Sequence, residues 1–144
     1  MSTNLGFRAA TEKDKQFLLQ LRIATMNRHI SNAGLEPNHE NHIERINYRF
    51  ESAQIIEYAG QSIGLLKVVK EGSVWDLVQI QLDSNFQGKG LGRKIIQSVI
   101  VEAKENGARV KLSVFKKNPA LGLYLSLGFI TYMETENTYE MLFS

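Results

Sequence analysis

The chain has 144 residues, with 17 basic and 15 acidic side chains and a formal net charge of +2. So small an excess gives no reason to expect nucleic acid or an anionic membrane as the main partner. The absence of cysteine excludes a thiol nucleophile, disulfides and cysteine-held zinc or iron–sulfur sites.

The length fits a single domain spanning 1–144, and 43% hydrophobic residues suffice for one core. The N-terminal run Met1 to Arg8 lacks the apolar segment of a signal peptide. No stretch approaches the roughly 18 to 20 apolar residues of a membrane span. The expectation is a soluble, cytoplasmic protein.

Leu5 to Ala9 reads as a strand. Thr11 with Asp14 three residues later reads as a helix start. Phe17, Leu21, Ala24 and Arg28 then share a helical face, with Leu18 and Thr25 beside it, and Asn32-Ala33-Gly34 stops that helix. His39 to Phe50 is a second helix with Ile43, Ile46, Tyr48 and Phe50 as its apolar side. Three strands follow, Gln54–Ala59, Ser62–Val69 and Val74–Leu82, separated by turns at Gly60-Gln61 and Glu71-Gly72-Ser73. On the third, Val74, Val78, Ile80 and Leu82 share one face.

A glycine-rich loop runs from Asp83 to Gly90. The helix behind it carries Leu91, Ile95, Val99 and Ala103 as a stripe, widened by Ile96 and Ile100, and ends at Asn106-Gly107. Val110–Phe115 is a strand and Pro119–Leu127 a short helix. Phe129–Met133 and Thr138–Phe143 are two last strands joined near Glu136-Asn137. The order β-α-α-β-β-β-α-β-α-β-β defines an α/β (α+β) sandwich, with an antiparallel meander expected for the three consecutive strands.

The segment Gln87-Gly88-Lys89-Gly90-Leu91-Gly92 lies between a strand and a helix start. Its glycines permit close backbone approach, and the unpaired amides of the first helical turn favour an anion. It is not a Walker loop, because Gly90 rather than Ser or Thr follows Lys89. It is not a Rossmann fingerprint either, because Arg93 stands where the third glycine belongs.

Gln87-x-x-Gly90-x-Gly92, followed by Asn118 and by Tyr124-x-x-x-Gly128-Phe129, resembles the GNAT superfamily of N-acetyltransferases. The likeness covers nearly the whole chain, element order included, and it implies a mixed central sheet. It implies that acetyl-coenzyme A lies between the strands Val74–Leu82 and Val110–Phe115. Gln87, Gly88, Lys89, Gly90, Leu91, Gly92 and Arg93 would hold the pyrophosphate, with Lys89 and Arg93 adding charge. Ile80 and Leu82 would offer backbone groups to the pantetheine arm, and Asn118 would contact it. Tyr124 would face the thioester sulfur as acid. The family often forms dimers, so a homodimer is an open expectation. No metal is implied.

Direct transfer needs no protein nucleophile, which suits a chain without cysteine. Strand amides can polarise the thioester carbonyl. Proton transfer from an ordinary tyrosine to a thiolate is uphill by roughly 2 kcal/mol, from pKa values of about 10 and 8.5. Neutralising a lysine-like amine at pH 7 costs about 4.6 kcal/mol, so a base is wanted. Many family members carry a glutamate on the strand before the loop. Here Gln79 and Gln81 stand there, and amides are not bases. Asp76, Glu57 and His29 are the candidates, beside deprotonation through water.

Trp75 with Asp76 could form a wall for an ammonium group, although Trp75 also reads as a sheet residue. His29 lies where the family builds its acceptor pocket. His39 and His42 have no evident third ligand for a metal. The expected activity is acetyl-CoA-dependent transfer to a primary amine of a small molecule or peptide. The rivals are a catalytically silent acyl-CoA-binding sensor and an ATP-binding domain. The acceptor cannot be read from Arg22 to Phe50, which would shape its pocket.

Overall fold

A computed structural model describes the backbone of residues 4–32 and 39–144, and the side chains of 4–24 and 42–144. Strand β1 (Leu5–Ala9) leads into helix α1 (Lys15–Asn32) and then α2 (His39–Asn47). Strands β2 (Ala53–Tyr58), β3 (Gln61–Val69) and β4 (Val74–Leu82) form a meander. Helix α3 (Leu91–Glu105), strand β5 (Arg109–Phe115), helix α4 (Leu121–Leu127) and strands β6 (Ile130–Glu134) and β7 (Thr138–Phe143) complete the chain. This is the element order expected from sequence.

The seven strands form one sheet in the order β1-β2-β3-β4-β5-β7-β6. Neighbours are antiparallel except for β4 and β5, which run parallel. The parallel pair needs a crossover, and α3 supplies it. Its whole predicted stripe is buried, Leu91, Ile95, Ile96, Val99, Ile100 and Ala103. At about 1.5–3 kcal/mol for each large apolar side chain, that stripe fixes the helix to the sheet. It packs on Ile63, Leu66, Val68, Leu77 and Val110, with Tyr124 and Phe129 in the same core.

The other face of the sheet carries α1 and α2. Leu18, Leu21 and Ile46 pack there on Ala53, Ile55 and Leu65. The inward side of α1 is therefore Leu18, Leu21 and Arg22, while Ala24 is exposed. The expected stripe through Ala24 is off by about one position, and Thr25 and Arg28 fall outside the described side chains. Helix α2 ends three residues before Phe50, and Ile43 and Tyr48 are exposed, so of its expected apolar side only Ile46 is fully buried.

Its end is set by a long-range contact. Lys67 on β3 is 0% exposed, and its Nζ donates to the carbonyls of Arg45 at 2.9 Å, Ile46 at 3.2 Å and Tyr48 at 2.6 Å. The ammonium thus satisfies carbonyls that a helix C-terminus leaves unpaired.

Strand β4 departs from simple alternation. The register steps from Lys67↔Gln79 to Val68↔Leu77, leaving Val78 as an extra residue. Trp75 and Leu77 before the bulge therefore share the α3 face with Ile80 and Leu82 after it. The expected face through Val74 and Val78 is corrected accordingly. Asp76, Gln79 and Gln81 point to the α1 side, opposite Val69, Lys67 and Leu65.

Candidate active site

The parallel pairing of β4 and β5 begins at Val74↔Arg109 and stops at Leu77↔Leu112. Beyond it, β4 continues to Leu82 while β5 turns to β7 as far as Phe115↔Thr138. The two strands part, and the edge of β4 facing the gap has no strand partner among the described residues. Which backbone groups line that edge follows from alternation. Asp83 N–H donates to Ile63 O on the β3 side. Residues 83, 81 and 79 thus address β3, while Leu82 and Ile80 address the gap. One of these groups is already used: Leu82 O accepts from Gln87 Nε2 at 2.9 Å. The gap keeps the N–H of Leu82 and both backbone groups of Ile80.

The loop at the mouth of the gap has the conformation its glycines allow. Gly88 has φ of 74° and Gly90 of 79°, both left-handed. Gly90 is the N-cap of α3, with no capping side chain and no acidic residue in the first turn. Lys94 N–H reaches Gly90 O, so the amides of Leu91, Gly92 and Arg93 precede the first helical bond. An added Cβ at Gly88 or Gly90 would meet open space, whereas at Gly92 it would make an ordinary 3.7 Å contact with Leu123 on α4. Arg93 donates to Ser126 Oγ at 2.6 Å, and the Lys89 ammonium lies 5.8 Å from the centre of the Phe86 ring.

Across the gap, Asn118 Oδ1 accepts from Ala120 N–H at 2.8 Å and so shapes the approach to α4. Its Nδ2 makes no hydrogen bond to a described residue. Tyr124 on α4 is buried, edge-on to Phe129 with centroids 5.8 Å apart. Its hydroxyl also makes no hydrogen bond to a described residue, and burial pushes its pKa up to about 12.

On the α1 side, Asp76 stands one residue before the strands part. It is half-buried, and burial raises its carboxyl above the usual range despite Lys111 nearby. Trp75 lies on the opposite face, inside the α3 core. The two cannot form one ammonium-binding wall, which corrects that expectation. Glu57 is held by Arg8 Nε at 3.0 Å, in a network that Arg8 completes with Asp14 at 2.9 Å, far across the sheet from the gap. It is thereby removed as a base. His29 and His39 lie outside the described side chains, and His42 is buried.

Sequence reasoning missed Arg22, which is 5% exposed, its Nε and one terminal nitrogen buried and without a hydrogen-bond partner among the described residues. Desolvation lowers its pKa to about 10. No local signal marks it, since an arginine on a surface helix is ordinary.

A mixed sheet that parts beside a glycine-rich helix start defines an α/β protein built for an extended ligand with a phosphate end. The family model described as an acetyltransferase (GNAT) domain matches residues 23–141. The chain belongs to the GNAT acetyltransferase family.

Curated relatives match over a shorter region. A spermine/spermidine N(1)-acetyltransferase of Bacillus subtilis (strain 168) is 40% identical over 63 residues, 42% of this chain and 41% of that protein. A probable spermine N(1)-acetyltransferase of Bacillus subtilis subsp. natto matches to the same extent. The match thus spans about two-fifths of these relatives. Among solved structures, the PaiA N-acetyltransferase of Thermoplasma acidophilum in complex with coenzyme A has a TM-score of 0.77 at 13% identity, covering 100% of this chain and 99% of that one. Arabidopsis thaliana Naa50 in complex with the bisubstrate analogue CoA-Ac-MVNAL has a TM-score of 0.68 at 16% identity, covering 98% and 99%. These likenesses show the fold. Among the described residues, no helix is long and apolar enough to cross a membrane.

Proposed function

We propose that this protein is an acetyl-CoA-dependent N-acetyltransferase that moves the acetyl group directly to a primary amine. The observation that carries the reading is the parting of β4 from β5 beyond Leu77, beside a helix start whose first amides are uncapped. Acetyl-CoA fits this arrangement, since it is long, amide-bearing and phosphate-ended, and it supplies the thioester.

The amides of Leu91, Gly92 and Arg93, with the turn at Gln87 to Gly90, would take the pyrophosphate. Lys89 and Arg93 would add charge there. The open backbone groups of Ile80 and Leu82 would pair with the pantetheine amides as a further strand does, and Asn118 Nδ2 would reach the arm from the other wall. Strand amides facing the gap would polarise the thioester carbonyl.

Tyr124 is proposed to donate its hydroxyl hydrogen bond to the leaving sulfur. With its pKa near 12, full proton transfer to a thiolate of about 8.5 is uphill by roughly 5 kcal/mol. The hydroxyl therefore acts first as a hydrogen-bond donor, and any proton transfer comes late. Asp76 is proposed as the base that accepts the amine proton from the α1 face. Burial suits it to that role, because a raised carboxyl is a stronger base.

A homodimer is part of the proposal. β6 is an edge strand, and it exposes Ile130, Tyr132 and Met133. Sedimentation of the protein and of a Tyr132→Lys variant tests it: a dimer that the lysine dissociates supports the contact, and a monomeric parent protein overturns it.

Calorimetric titration with acetyl-CoA, CoA and ATP tests the ligand assignment. Binding of both coenzymes without ATP supports it. Binding of ATP alone, or of nothing, overturns it. Coenzyme binding with no transfer across a broad amine screen would leave the silent sensor in place of the enzyme.

A further inference from the structure

The α1 face of the sheet holds buried polar atoms that the proposed transfer leaves unused. Helix α1 packs on β3 and β4. Arg22 looks inward from it, 5% exposed, with Nε and one terminal nitrogen unpartnered. Gln81 on β4 is buried to the same degree, and neither atom of its amide has a partner among the described residues. The buried Oε1 of Gln79, on the same face, lacks one too. Among the described residues, three side chains thus leave five buried polar atoms unsatisfied on the face of the sheet that carries α1 and α2, two on Arg22, one on Gln79 and two on Gln81.

Native interiors satisfy nearly all such groups, and an unpaired guanidinium is the least tolerable of them. A fold keeps such a group where a ligand completes it. The local charge says which ligand. Arg45 and Lys67 both lie close enough to Arg22 to act on it or be acted on electrostatically, and all three are cationic; Glu51 acts on Lys67 as the one carboxylate among the groups that do, and it does not act on Arg22. The Lys67 ammonium is committed to its three carbonyls. No carboxylate among the described residues bonds Arg22. A polyamine would bring like charge to this corner. A carboxylate would meet a planar two-pronged donor that matches it. Farther along the same face of β4, Asp76 offers the opposite sign.

We infer that Arg22 receives a carboxylate carried by the acceptor, with the Gln79 and Gln81 amides beside it, so that the acceptor is an amine of the free amino acid class. The inference rests on the acetyltransferase reading and narrows it. It departs from the polyamine named for the Bacillus relatives, which match 42% of this chain. The ligand is bipolar, and so is the face. Arg22 and the glutamine amides hold the anionic end, while Asp76 holds and deprotonates the amine end.

The test compares L-amino acids with their carboxamides, and with spermine, as acceptors at saturating acetyl-CoA. The carboxamide removes only the negative charge and mimics a peptide N-terminus. The free acids should exceed their amides in kcat/KM by about 10- to 100-fold, the usual range for a charge-assisted hydrogen bond. Arg22→Met should abolish that preference, mainly through KM, and leave the Kd for acetyl-CoA unchanged. Arg22→Lys keeps the charge without the fork and should restore only part of it. The thermal midpoint of Arg22→Met should hold or rise, because an uncompensated buried charge has gone.

Equal use of acids and amides by the unaltered protein, or better use of spermine, overturns the inference. So does an Arg22→Met variant that loses stability but keeps the preference. Failure of the acetyltransferase reading looks different: acetyl-CoA does not bind, or binds without transfer to any amine. In that event, direct titration of the L-amino acids into the protein and into Arg22→Met decides. Binding lost in the variant sustains the anion site, and no binding to either overturns it.

Discussion

Gly64 on β3 faces the Gln81 carbonyl oxygen so closely that an added Cβ would overlap it, and would also crowd Leu82 Cδ2 at 3.0 Å. Gln81 belongs to the part of β4 that lines the gap, so this contact sets how flat that strand lies. The obstacle is backbone, which cannot swing aside as a side chain can. Gly64→Ala should therefore lower stability by about 1–3 kcal/mol, the usual penalty for overpacking. It should also weaken acetyl-CoA binding by displacing the Ile80 and Leu82 groups. Urea denaturation and a coenzyme titration check both effects, and an alanine variant with unchanged midpoint and Kd would contradict the packing argument.

The glycines of the loop are not equivalent. Gly90 is left-handed at the N-cap of α3, a conformation that costs an L-residue roughly 1–2 kcal/mol. Gly92 has room for a methyl against Leu123. Gly90→Ala should thus lose stability and raise the coenzyme Kd several-fold. Gly92→Ala should bind as the parent does and be slightly more stable, since alanine is the better helix former. Comparing the two by calorimetry and thermal melting separates the need for a backbone conformation from a need for empty space.

The loop was legible because its requirement is local. A glycine before a helix start reports a φ angle, and the stripe from Leu91 to Ala103 reports a buried face, with no knowledge of the rest of the chain. Arg22, Lys67 and Val78 were not legible, and each for a long-range reason. Arg22 faces inward because α1 is rolled onto Ile55 and Leu65, which pull Leu18 and Leu21 down beside it. Lys67 sits in an apolar strand because the end of α2 arrives above it. Val78 breaks the alternation because β3 and β4 differ by one residue in register. Trp75 was misplaced for a local reason instead: pairing it with Asp76 ignored that neighbours on a strand face opposite ways.

Tyr124 gives the sharpest test of the chemistry. Removing its hydroxyl leaves the ring against Phe129 and breaks no hydrogen bond to a described residue, so Tyr124→Phe should fold at least as well. Turnover should fall on the order of 10- to 1,000-fold with the acetyl-CoA Kd nearly unchanged. The pH profile carries a second signature. With the folded pKa at about 12 and the unfolded value at about 10, the neutral phenol is favoured in the fold. Its contribution to stability is constant below about pH 10 and lost as pH rises from there towards 12. Tyr124→Phe should therefore be relatively more stable than the parent above about pH 10, and turnover should show no limb from this hydroxyl near neutrality. An unchanged kcat in the phenylalanine variant would remove Tyr124 from the mechanism.

Asp76 makes the complementary prediction at the other proton. As a base it must be ionised while the bound amine is still protonated. The rate of the parent protein should fall as pH drops through the Asp76 pKa, which burial lifts above the ordinary carboxylate range, and level off above it. In Asp76→Asn no group accepts the proton, so the amine must lose it before reaction. The rate should then be lower by about 100-fold or more at neutral pH and climb steadily with pH towards the acceptor's own pKa, where the two proteins converge. Stability moves the other way. A carboxyl raised in the fold is destabilising above its unfolded pKa, and that penalty is relieved as pH falls. Asp76→Asn should accordingly melt no lower than the parent at neutral pH. Profiles of kcat/KM for both proteins between about pH 6 and 10 decide the matter: parallel curves would assign the proton to water and leave Asp76 as a residue that only positions the acceptor.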